Sequence, residues 1–185
     1  HRFTTGENIC DLIAVFKVIL GRFGSLESFF MEGMDEGSTI LDGMQCFSER
    51  AGEIQKKLGK EFGPGLRYLV TNPAQGSACK RFNLFLRWMV RKDDVDCGVW
   101  KRVNKADLIM PVDVHIGRLT RILGFHKSET ISIRTAIEIT EGFKRINPED
   151  PVKYDFSLSR IGIVEGCTGK PRVYCKACEL LAYCK

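Results

Sequence analysis

The sequence predicts an all-α protein. Apolar residues recur at spacings of 3 and 4 along most of its 185 residues, as they do on the buried face of a helix. Glycine and proline fall where such helices would stop, and no segment alternates polar and apolar residues long enough to make a strand. With 44% hydrophobic and 28% charged residues, the chain can bury a single-domain core, which rules out a disordered or rod-like protein.

The first helix follows from Ile9, Leu12, Ile13, Phe16, Ile19, Leu20 and Phe23, and Gly24 marks its end. A short second helix spans Leu26 to Met31 behind Ser25, a good N-cap. A glycine-rich loop, Glu32 to Gly43, then precedes a third helix running to about Leu58. Leu66 to Val70 leads into the tight turn from Thr71 to Ser77. An apolar helix over Ala78–Val90 carries Phe82, Phe85, Leu86 and Met89 on one face. Asp93 to Lys105 reads as a polar connector containing Trp100. Further helices are predicted from about Val112 to Leu123, closed by Gly124, from Glu129 to Phe143, and from Asp150 to Ile163. The predicted organisation is a helical domain over 1–163, with a hairpin near 72–80, and a cysteine loop over 164–185.

The most apolar stretch, Leu12 to Leu20, is interrupted by Lys17 and falls short of the ~20 residues needed to cross a bilayer, so no membrane partner is expected. The start does not resemble a signal peptide, and His1 is not an initiator methionine, which reads as a processed product or a piece of a longer chain. A cytoplasmic monomer is the expectation, nucleoid-associated if the source is prokaryotic. The net charge of +5 is concentrated: residues 80–127 hold 11 Lys/Arg against 5 Asp/Glu, the remainder 17 against 18. A basic centre on a neutral chain points to a polyanion, nucleic acid before membrane, or to no more than a solvated surface.

Of the eight cysteines, Cys10, Cys46, Cys79 and Cys97 are scattered through apolar or helical segments, where a free cysteine packs as a small hydrophobe. The other four close the sequence as Cys167-x7-Cys175-x2-Cys178-x5-Cys184. Disulfides would spread across the domain. Four thiolates in one short window read instead as a metal site in a reducing compartment, a [4Fe–4S] cluster or zinc.

The turn at Pro73–Ser77 lies between two helices. Such a hairpin exposes N–H groups at the positive end of the second helix, where a DNA phosphate can sit, with Lys80 and Arg81 nearby; a plain helix connection has the same sequence signature. Asp113, following Pro111-Val112 at the start of a helix, fits an N-cap on its own. Trp88 and Trp100 lie in apolar surroundings and are read as core.

Val112-Asp113-Val114-His115-x2-Arg118 resembles the VDTH-x-x-R segment of the endonuclease III/MutY superfamily, the helix-hairpin-helix DNA glycosylases. The cysteine tail resembles that superfamily's iron–sulfur loop with one extra residue in the first gap. Gly76-Ser77-Ala78-Cys79-Lys80-Arg81, the Asn83–Arg91 run and Pro148–Phe156 resemble an uncharacterised bacterial and archaeal branch of it. The resemblance implies a DNA glycosylase of base-excision repair, acting on double-stranded, lesion-containing DNA. It places Asp113 as the carboxylate that stabilises an oxocarbenium-like sugar and Lys80 as an amine nucleophile capable of a lyase step. Gly76, Ser77, Arg81 and Arg118 would contact DNA, and Cys167, Cys175, Cys178 and Cys184 would hold a structural [4Fe–4S] cluster, with zinc as the alternative. His115 reads as structural. The register rests on Asn83, three residues beyond the family's lysine. Registering on Gly76 instead puts Ala78 in the lysine's place and leaves a monofunctional enzyme. A non-catalytic helix-hairpin-helix DNA-binding protein is the second reading, a zinc protein acting on RNA a third. For Lys80 to attack as a neutral amine, burial or the neighbouring Arg81 would have to lower its pKa.

Overall fold

The computed structural model describes residues 3–170 and 172–184, and among them it is all-helical. Helix α1 (Gly6–Phe23) opens with a capping box between Thr5 and Asn8 and closes at Gly24, whose φ of +74° lets its N–H reach the Leu20 carbonyl at 3.0 Å. Helix α2 (Leu26–Met31) starts at Ser25, as the sequence indicates, with the Ser25 hydroxyl accepting from the Ser28 N–H at 2.9 Å.

Helix α3 (Ile40–Lys57) begins earlier than the glycine-rich loop suggests. Thr39 and Asp42 form a capping box, and Gly43 becomes a helix residue against which the Phe30 ring packs; a Cβ there would come within 2.7 Å of it. Helices α4 (Pro64–Leu69), α5 (Lys80–Val90), α6 (Val114–Ile122), α7 (Ile133–Lys144) and α8 (Asp155–Ile163) follow. The last four start between two and five residues later than the apolar periodicity predicts. After Ile163 the described residues hold only short 3-10 turns, Val173–Ala177 and Leu181–Tyr183, which bury nothing.

One contiguous apolar cluster runs from Val15 to Leu158. Its centre is aromatic: Phe47 meets Phe29 and Phe82 edge-on at centroid separations of 4.9 and 5.3 Å, and Trp100 lies 5.4 Å from Phe30. Trp100 is therefore core, as read from sequence. Trp88 is not: it is 41% exposed. Helix α6 packs on α8 so closely that His115 lies where a Cβ on Gly162 would be, 2.5 Å from its own Cβ. That pairing sets α6 and its N-terminus against α8.

Candidate active site

The turn after α4 is built by local side chains. The Asn72 side-chain Oδ1 accepts from the Ala74 N–H at 2.9 Å, and buried Pro73 starts a single 3-10 turn. Gly76, with a φ of +80°, ends that turn, its N–H bonded to the Pro73 carbonyl. The Gly76 carbonyl in turn accepts from the Ile133 N–H at 3.1 Å, and Ser77 pairs with Ser132, so the hairpin is docked on the N-terminus of α7. Gly76 and Ser77 are exposed at the tip.

Helix α5 starts late because Cys79 adopts φ +49°, the left-handed region that a residue with a Cβ enters at a cost of roughly 1 kcal/mol or more. The Asn83 amide donates to the Ala78 carbonyl at 2.9 Å and fixes this strained entry to the helix. Lys80 is consequently the first residue of α5.

Asp113 is the N-cap of α6. One of its oxygens, Oδ1, accepts from the His115 and Ile116 N–H groups, both at 2.8 Å. The other, Oδ2, faces the Lys80 ammonium at 3.5 Å. Two residues 33 positions apart in the chain are thus joined, each by its place at the start of a helix. The Asp113 side chain is 16% exposed and that of Lys80 48%. Burial is therefore not the device that would free the Lys80 amine. Arg81 does not crowd it either: its guanidinium lies 3.8 Å from the centre of the Tyr68 ring and donates to the Tyr68 hydroxyl at 2.7 Å.

Beside Lys80 opens an apolar cavity of about 490 Å³ between α1 and α5. Phe16, Leu69, Phe85 and Trp88 line it, and Lys80 and Arg81 bring charge to it.

Behind the pair lies a network that sequence reasoning missed. Arg87 reaches Asp96 at 3.0 Å and also contacts Asp155. Arg91 holds Asp150 through bonds of 2.9 to 3.1 Å, reaches Asp93 at 2.8 Å, and contacts Asp96. Both guanidinium groups and the carboxylates of Asp96, Asp150 and Asp155 are buried. Burial opposes the charge on Arg91, but Asp150 and Asp93 hold its pKa above the ordinary value. Burial pushes Asp155 up to about 6; Arg87 pulls the other way, Asp113 adds to the rise, and Lys80 opposes it. Lys80, Asn83 and Arg87 on α5, with its C-cap Arg91, form a polar stripe at helical spacing. Such a stripe reads as a solvated face, and only the surplus of aspartates near and beyond it hints at burial. Two of the 11 basic residues counted between 80 and 127 are therefore internal, and the basic surface is smaller than the sequence implies.

Arg118, read as a phosphate contact, is half-buried. Its guanidinium donates to the Cys167 carbonyl at 3.0 Å, tying α6 to the cysteine tail. His115 packs on Gly162 with a buried Nδ1 that has no partner, in keeping with its structural reading. Cys167, Cys175 and Cys178 line a second cavity of about 920 Å³. The Cys184 thiol is pushed up by burial and then by the thiol groups of Cys178, Cys167 and Cys175, so those three lie within electrostatic reach of Cys184. Among the described residues no group of three or more His, Cys, Asp or Glu stands in metal-holding geometry.

The fold and site together define an all-helical protein with a lysine–aspartate pair beside a docked hairpin. The chain belongs to the family described as protein of unknown function DUF2400, whose model matches residues 1–164. No curated protein and no solved structure matches it. No helix among the described residues is long and apolar enough to cross a membrane.

Proposed function

We propose that this protein is a DNA glycosylase of the base-excision type, with a lyase step carried by Lys80. The observation that carries the reading is the meeting of Lys80 Nζ and Asp113 Oδ2 at 3.5 Å beside the exposed hairpin tip. It also favours the register that makes Lys80, rather than Ala78, the counterpart of the family's lysine.

A base taken out of the stack would enter the cavity beside Lys80, where Phe85 and Trp88 offer aromatic faces. Water excluded by these apolar walls would strengthen the field of Asp113 at the sugar. As the glycosidic bond lengthens, its electron pair leaves with the base, and the positive charge on the sugar is stabilised by the Asp113 carboxylate. The Lys80 amine, its proton passed to Asp113 or solvent, then forms the C–N bond at C1′. Ring opening, in which the C1′–O4′ bond breaks and O4′ takes up a proton, gives a Schiff base, from which elimination of the 3′ phosphate cleaves the strand. The two N–H groups that donate to Asp113 Oδ1 hold the carboxylate in place and leave Oδ2 facing the amine. The exposed tip residues Gly76 and Ser77, with Arg81, would lie against the DNA backbone without reading sequence.

The cysteine tail fits a cluster by its donor chemistry. It offers four soft thiols, with Cys184 within electrostatic reach of the other three, on a segment of short 3-10 turns. Cys167, Cys175, Cys178 and Cys184 would hold a [4Fe–4S] group, or zinc, as a structural pin, with exposed Lys170, Arg172 and Lys176 carried toward phosphate. Incubating the full-length protein with duplexes that each carry one oxidised, deaminated or alkylated base tests the function. Release of at least one base supports it. Absence of excision from every duplex of the panel would overturn it, and duplex binding without excision would favour a non-catalytic DNA-binding protein.

A further inference from the structure

The first residue of α8, Asp155, has no part in the chemistry above, yet it is placed to control it. Its side chain is 7% exposed and engages Arg87, two turns beyond Lys80 on α5. We propose that Asp155 is a positioning residue, a third carboxyl whose charge state governs the Lys80–Asp113 pair. The inference rests on the proposed function for its consequence, though not for its geometry.

Groups from every element packed on Asp155 enter the account. From α5 come Arg87, in contact, and Lys80; from α6 comes Asp113, with His115 packed on Gly162 of α8 itself. From the connector comes Asp96, which shares Arg87 at 3.0 Å and is held in turn by Arg91. Arg87 is thus divided between two carboxylates and does not neutralise Asp155 alone. Burial favours the neutral carboxyl, in agreement with a titration near pH 6. When ionised, Asp155 adds a second negative charge behind Asp113, strengthening the field at the Lys80 ammonium and at a developing sugar cation. When protonated, it withdraws that charge. Base excision should therefore rise as pH increases through about 6.

Carboxyl NMR of aspartate-labelled full-length protein, with the Asp155 signal assigned by Asp155→Glu, tests the coupling without DNA. In the wild type Asp155 should titrate near pH 6. Asp113→Asn, removing a like charge, should lower the midpoint by roughly half a pH unit. Lys80→Gln, removing an opposite charge, should raise it. A midpoint unmoved by both changes overturns the proposal, whether or not a lesion is excised. The second arm is the pH profile of single-turnover excision. The limb near pH 6 should vanish in Asp155→Asn and return, displaced, in Asp155→Glu, which a purely structural role would not produce. A limb that persists in Asp155→Asn also overturns the proposal. If the wild type excises nothing, the functional reading fails and the NMR arms alone decide this one.

Discussion

Asp113→Asn separates the two things Asp113 does. As an N-cap it supplies one oxygen to two N–H groups at 2.8 Å, and asparagine caps about as well as aspartate. As half of an ion pair it faces a lysine that is 48% exposed, where such pairs are worth about 0–1 kcal/mol. Asp113→Asn should therefore unfold within about 1 kcal/mol of the wild type, since it also relieves the like-charge strain on Asp155. Asp113→Ala leaves both N–H groups without an acceptor and should cost about 1–2 kcal/mol. Excision should fall in both, by roughly two to three orders of magnitude if a fixed carboxylate stabilises the sugar cation. Urea denaturation and single-turnover excision, measured on the same preparations, check the two effects. Full excision by Asp113→Asn would reduce Asp113 to a cap and favour a non-catalytic DNA-binding protein. An asparagine variant as unstable as the alanine variant would refute the capping argument instead.

A protein purified without oxygen should be brown, with iron and sulfide in stoichiometric amounts that Cys175→Ser abolishes; a colourless protein with stoichiometric zinc would reassign the site. Duplex affinity should fall steeply between low and moderate salt, and Arg81→Ala should weaken binding to all sequences alike; affinity indifferent to salt would remove the electrostatic argument. Arg118→Ala, which frees the Cys167 carbonyl, should instead hasten proteolysis of the tail. The pKa of Asp155 is raised from 3.8 to about 6, so the folded state binds its proton more tightly than the unfolded state. Its contribution is fully present below pH 4 and is lost as pH climbs to about 6. The loss is at most about 3 kcal/mol, and comparing denaturation midpoints of the wild type and Asp155→Asn across that window isolates it.

The sequence carried the helices better than their starts. Gly24 and Ser25 locate the end of α1 and the beginning of α2 because backbone conformation and capping are local properties. The late starts have local causes that periodicity does not contain. Cys79 is left-handed before α5, Ser132 rather than Glu129 begins α7, and Asp150 is spent on Arg91 instead of opening α8. The burial of Arg87 and Arg91 was not legible, since it depends on aspartates up to 68 residues away. Asp113 and Lys80 were both legible as residues, through the flanking motifs. Their contact was not, because it depends on the hairpin docking on α7 and α6 packing on α8. Arg118 shows the converse: its position in a motif suggested phosphate, and its geometry gives it a carbonyl.

Borohydride reduction on duplexes containing an abasic site or an excisable lesion tests the central claim, that Lys80 and Asp113 form a site acting on the sugar of DNA. The wild type should become covalently attached to the DNA, Lys80→Gln should not, and the attachment should map to Lys80 by peptide mass. Trapping that survives in Lys80→Gln would move the nucleophile to another amine such as Lys92. Excision without any trapping in the wild type would contradict the assignment of Lys80 and leave Asp113 to act alone.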